Sequence, residues 1–157
     1  MKNYLIILSF IMISSSSFAF MSGIDESRDS QGELVFIGAH IPLAPAGRMN
    51  AGYLKITNSS DDDIEFEKFT SPVYDSVMVH DTKHDGNIAK MTHVDALIVP
   101  ANSTIELKPG GMHLMLMGPR RDINAGEEIL MIGLGLNGKR YMVKFLVVDP
   151  RVESHHH

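Results

Sequence analysis

From residue 33 onward, short runs rich in Val, Ile, Leu, Phe and Tyr are cut every few residues by clusters of Gly, Pro, Asn and Asp. Branched and aromatic residues in runs this short, bounded by turn formers, specify strands rather than helices. The pattern predicts strands at 33–38, 52–58, 64–70, 75–81, 88–93, 104–108, 111–117, 127–134 and 139–148. The breaks have local causes. Asn58-Ser59-Ser60 with Asp61-Asp62-Asp63, His84-Asp85-Gly86-Asn87 and Pro109-Gly110-Gly111 suit turns, and Asn137-Gly138 suits a tight hairpin with positive φ at both central positions. Residues 42–48, with two prolines and a glycine, read as an irregular loop, and no long helical period competes. Strands in this number predict an all-β fold, a two-sheet β-sandwich of the immunoglobulin-like kind.

The 157 residues suit one domain. A formal charge of -5, with no clustered basic patch, argues against nucleic acid and anionic lipid as partners. Lys2, an apolar run at 4–13 and small residues at 14–19 read as a signal peptide, with Ser17-Phe18-Ala19 fitting the small-x-small cleavage rule. The apolar run is too short for a transmembrane helix. The expected organisation is a signal peptide at 1–19, a flexible segment at 20–32, the sandwich at 33–149 and a tail at 150–157. The chain has no cysteine, which argues against a lipoprotein and removes thiolate copper centres, redox dithiols and cysteine nucleophiles. Neither a Gly-x-Ser-x-Gly elbow nor a glycine-rich phosphate loop occurs, so a non-enzyme is expected. The consecutive Asp61, Asp62 and Asp63 diverge on an extended chain and read as a solvated turn.

The chemistry concentrates in eleven methionines and eight histidines. In Gly111-Met112-His113-Leu114-Met115-Leu116-Met117-Gly118, strand alternation puts Met112, Leu114 and Leu116 on a core face. His113, Met115 and Met117 share the other. Thioether sulfur is a soft, uncharged donor that suits Cu(I) beside neutral imidazole, whereas zinc recruits thiolate or carboxylate and Ca²⁺ or Mg²⁺ requires oxygen. Residue type alone leaves His113 and Met115 balanced between ligation and packing. Met78, Met112, Met131 and Met142 are expected to fill core gaps. Met117 reads either as a packing residue or as an alternative sulfur. His93 would share a face with Met91 on an extended segment and so stand behind the ligands, while His84 suggests a turn role and His40 has no evident partner. His155-His156-His157 is open between a Cu(II)-binding tail, a purification tag and plain disorder.

His80, ten residues, Met91, twenty-one residues, then His113-x-Met115 resembles the H-x10-M-x21-H-x-M pattern of the periplasmic copper chaperones that serve the CuA centre of cytochrome c oxidase, the PCuAC family. The resemblance extends over 51–148, through Gly52-Tyr53-Leu54, Ser71-Pro72-Val73 and Leu107-Lys108-Pro109-Gly110-Gly111. It implies a cupredoxin-like sandwich with His80 and His113 as imidazole ligands and Met91 and Met115 as thioether ligands to one Cu(I) per chain. It further implies a monomeric periplasmic protein that passes copper to cytochrome c oxidase subunit II or to a thiol-bearing copper-transfer protein. Asp81-Thr82 replaces the Glu-Met that commonly follows the first histidine, so an auxiliary methionine is missing there. Two other functions fit the same residues: a periplasmic copper-sequestering or resistance protein with no delivery partner, and a metal-free interaction sandwich.

Overall fold

A computed structural model describes residues 26–28, 32–45, 48–86 and 88–151. The expected signal peptide, most of the segment at 20–32, Asn87 and the histidine tail lie outside the described residues. The strands are β1 (Glu26–Arg28), β2 (Leu34–Pro42), β3 (Asn50–Asn58), β4 (Ile64–Thr70), β5 (Tyr74–Asp85), β6 (Ile88–Val94), β7 (Leu97–Val99), β8 (Ser103–Leu107), β9 (His113–Pro119), β10 (Glu128–Gly135) and β11 (Arg140–Val148). All nine expected strands have counterparts. The two additional ones, β1 and β7, are three residues each.

Hydrogen bonding runs β2-β11-β10-β4-β5-β9-β3 and returns from β3 to β2, so the two layers of the sandwich join into one continuous sheet. The described pairings are antiparallel except β2 with β11. Strand β2 changes partner along its length: residues 35–37 face β1 and residues 40–42 face β11. A break in register between Ile37 and His40 makes that change possible, and Gly38 supplies the positive φ of 63° that the irregularity requires.

The enclosed core follows from alternation. Along β11, Tyr141, Val143, Phe145 and Val147 point inward while Met142, Lys144 and Leu146 point to solvent. Phe36, Phe66, Leu114 and Leu116 complete the centre of the core, each side chain contributing about 1.5–3 kcal/mol by leaving water. Met131 packs inside and Met112 packs partly against the core, as expected. Met142 does not: it is 63% exposed, because its neighbours Tyr141 and Val143 take the inward positions.

Buried polar side chains are satisfied. Asn50 donates to the Tyr74 hydroxyl at 3.1 Å, and Asn58 donates to the carbonyls of Asp62 and Val99. Among the described residues no buried side-chain nitrogen or oxygen lacks a partner. No described helix is long and apolar enough to cross a membrane.

Candidate metal centre

The turn before β9 sets the first side chain. Gly111 N donates to Lys108 O, Lys108 N donates to Met112 O, and Gly110 takes a φ of 76°, closing Lys108-Pro109-Gly110-Gly111 into a compact reversal. The chain then enters β9 at His113, which is only 6% exposed. Its Nδ1 lies 3.0 Å from the carbonyl oxygen of Gly111. A carbonyl can only accept, so Nδ1 carries a proton and, in the neutral ring, Nε2 has the lone pair available to a ligand.

Strand pairing brings the second imidazole. In the β5–β9 ladder His80 is directly opposite His113, and the ring centroids are 6.0 Å apart at 87°. The third group comes from the other side of β5. Met91 on β6 pairs with Thr82, yet its sulfur reaches diagonally to 3.3 Å from His80 Nδ1. Nitrogen and sulfur bound to one d¹⁰ ion at about 2.0 and 2.3 Å, with a tetrahedral angle, stand about 3.5 Å apart. The separation of this pair is therefore of the right size for a shared ion.

Met115 is two residues beyond His113 on the same face of β9, diagonal to His80 across the ladder. The four expected residues thus come from three adjacent strands in the order β6, β5, β9, and the structure places them in one neighbourhood. Among the described residues no three His, Asp or Glu side chains group as a metal cage would require.

The other histidines separate clearly. His93 is directly opposite His80 on β6, its ring edge-on at 5.6 Å, with Nε2 3.6 Å from Asp95. His40 sits elsewhere, donating from Nδ1 to Gly38 O at 2.8 Å and leaning on Tyr53. Burial lowers the pKa of His80 below its ordinary 6.5, and the neighbouring His113 and then His93 add to the shift. The shift favours the neutral imidazole, the form that ligates.

Met78 departs from expectation. It is 39% exposed rather than buried, and it lies opposite Met115 on the face that carries His80 and His113. Its position two residues before His80 was the available sequence signal.

Over residues 34–132 the sequence matches the model of the LpqE-like lipoprotein family. The chain belongs to the LpqE-like family. An uncharacterized protein, RP573, of Rickettsia prowazekii (strain Madrid E) is 30% identical over 80 residues, 50% of this chain and 44% of that relative. The match thus spans less than half of the relative's length. This LpqE-like chain is also similar to the solution structure of Cu(I)-bound DR1885 from Deinococcus radiodurans, with 32% identity, a TM-score of 0.60 and coverage of 72% of this chain and 76% of that one. The copper-bound PCuAC domain from PmoF2 superimposes with a TM-score of 0.63 at 19% identity, covering 76% of this chain and 95% of that domain. The latter likeness establishes the shared fold.

Proposed function

We propose that this LpqE-like protein is an exported copper chaperone that carries one Cu(I) on His80, Met91, His113 and Met115. The observation that carries the reading is the His80 Nδ1 to Met91 Sδ approach of 3.3 Å, with the His113 ring facing the same histidine from the other side. Two neutral imidazoles and two thioethers leave the complex a monocation, favouring a soft ion over zinc or a hard cation. The likeness to Cu(I)-bound DR1885 supports the same choice of ion.

Delivery is by ligand exchange. Met91 is 49% exposed and sits on an outer strand, so an incoming thiolate can displace it while His113 still holds the ion from below. The acceptor in this reading is the CuA centre of cytochrome c oxidase, reached through subunit II or through a thiol-bearing transfer protein. Export to the periplasm follows from the signal-like N-terminus and is supported by the family's description as lipoproteins. None of the 157 residues is a cysteine, so a lipid on cysteine sulfur has no attachment point among them.

The direct test is Cu(I) titration against a competing chelator, with X-ray absorption on the loaded protein. One ion per chain with two nitrogen and two sulfur ligands is expected. A shell of oxygen, or equal affinity in His113→Ala and Met115→Ala variants, would reject the site. Loss of oxidase activity on deletion of the gene, rescued by added copper, distinguishes delivery from sequestration.

A further inference from the structure

The face that holds His80 and His113 continues beyond them. Along the β5–β9 ladder Met78 is opposite Met115 and Ser76 is opposite Met117, while on the far side of β9 Met115 faces Ala51 of β3. Met78, Met115 and Met117 therefore stand together, with the small residues Ala51 and Ser76 directly opposite Met115 on β3 and Met117 on β5. Directly opposite residues have Cβ atoms about 4.5–5.5 Å apart, and the diagonal neighbours Met78 and Met117 remain within reach of long side chains. Core filling does not account for this group: Val77 and Val79 are the inward residues of that stretch of β5, Leu114 and Leu116 those of β9. A surface that keeps three adjacent thioethers partly in water, with no charged residue at the ladder positions between them, offers ligands of one chemical kind.

We propose that Met78 and Met117, together with Met115, form a second, all-thioether Cu(I) site beside the histidine site, sharing Met115 with it. The inference rests on the copper reading of the histidine site and assigns the route by which the ion arrives or leaves. Three sulfurs without a nitrogen hold Cu(I) more loosely than the mixed set, and an ion can pass between the two sites without release into solvent because Met115 belongs to both. Hard cations have no oxygen or anionic donor in the thioether triad. Exposed Met49 adjoins Asn50, whose partner on β9 is Leu116, so the soft surface extends toward the Met117 end.

The test is titration of the full chain with Ag(I), a redox-inert stand-in for Cu(I), following ¹³C-labelled methionine methyl signals. The first equivalent is expected to move Met91 and Met115, and the second to move Met78 and Met117. These signals are blind to metal on the histidine tail, so they separate the site from that source. In the Met78→Leu, Met117→Leu double variant the first event is retained within about threefold while the second weakens by about tenfold or more. Methyl signals of Met78 and Met117 that stay fixed through several equivalents overturn the proposal, as does a double variant in which the second event keeps the parental affinity at Met115. His113→Ala separates the two readings. Loss of the tight event with Met78 and Met117 still responding supports both, whereas an unchanged tight event rejects the histidine site alone.

Discussion

Of the strands that pair with β5, β9 and β6 each bring a residue of the proposed copper site, and they are built very differently. Strand β9 is paired on both sides, to β5 and β3, and turns Leu114 and Leu116 into the core. Strand β6 pairs with β5 alone among the described residues, and Ile88 at its start is 72% exposed. His113 on the first strand is buried and held by a backbone carbonyl. Met91 on the second stands half in water. The difference teaches that one half of the proposed site is fixed by folding while the other depends on a hairpin paired to β5 alone among the described residues, a division that suits the proposed holding and release of an ion.

The contrast can be broken most forcefully through the core. Leu114→Ala, beside His113, is expected to cost about 2–5 kcal/mol by cavity formation, whereas Ile88→Ala on β6 should stay within about 0.5 kcal/mol. Urea unfolding of the two variants measures both, and comparable losses would mean that β6 is as structural as β9. Next in size is copper affinity: His113→Ala should weaken Cu(I) binding by at least about a hundredfold, since even groups behind a metal ligand are worth ten- to hundredfold. Met91→Leu should cost about tenfold and leave the melting temperature unchanged, because the side chain it replaces is not packed. A chelator competition that ranks Met91 above His113 would reverse the assignment of fixed and yielding halves.

Hydrogen exchange offers a subtler view. Amides of β6 should exchange faster than those of β9 in the metal-free protein and slow on loading, while β9 changes little. The smallest effect is on acid stability. The folded pKa of His80 lies below its unfolded value of 6.5, so the folded state binds fewer protons. Its contribution is present above pH 6.5 and is lost as pH falls from there through the folded value. His93→Gln removes one of the like charges behind the shift, and unfolding midpoints at pH 7.5 and 5.5 should then converge slightly.

Much of this was legible before pairing was known. Alternation around Leu114 and Leu116 correctly set His113 and Met115 on the opposite face, because the core residues there are unambiguous. Met78 and Met142 were misplaced for a shared reason: each sits between two apolar residues, Val77 and Val79 or Tyr141 and Val143, and an unbroken apolar run does not reveal which face is wet. Strand β7 was hidden by its length, since three residues hold too little periodicity, although buried Leu97 and Val99 flank exposed Ile98 once β4 pairs with it. Spacing could suggest that His80 and Met91 meet, but only the ladder shows that Met91 reaches His80 diagonally from opposite Thr82. Alternation already put His93 on the face of Met91, and the register adds that it is directly across from His80.

The carbonyl of Gly111 accepts two hydrogen bonds, from His113 Nδ1 and from the amide of Thr82, the residue opposite Met91. In the copper reading this fixes which nitrogen of His113 faces the ion. In its neutral form the His113 ring has its proton on the side away from the ion, so ligation through Nε2 waits on no tautomer exchange. Cu(I) held by uncharged imidazole and thioether donors keeps its positive charge, and an anionic thiolate acceptor gains an electrostatic pull on the cargo that a neutral competitor lacks.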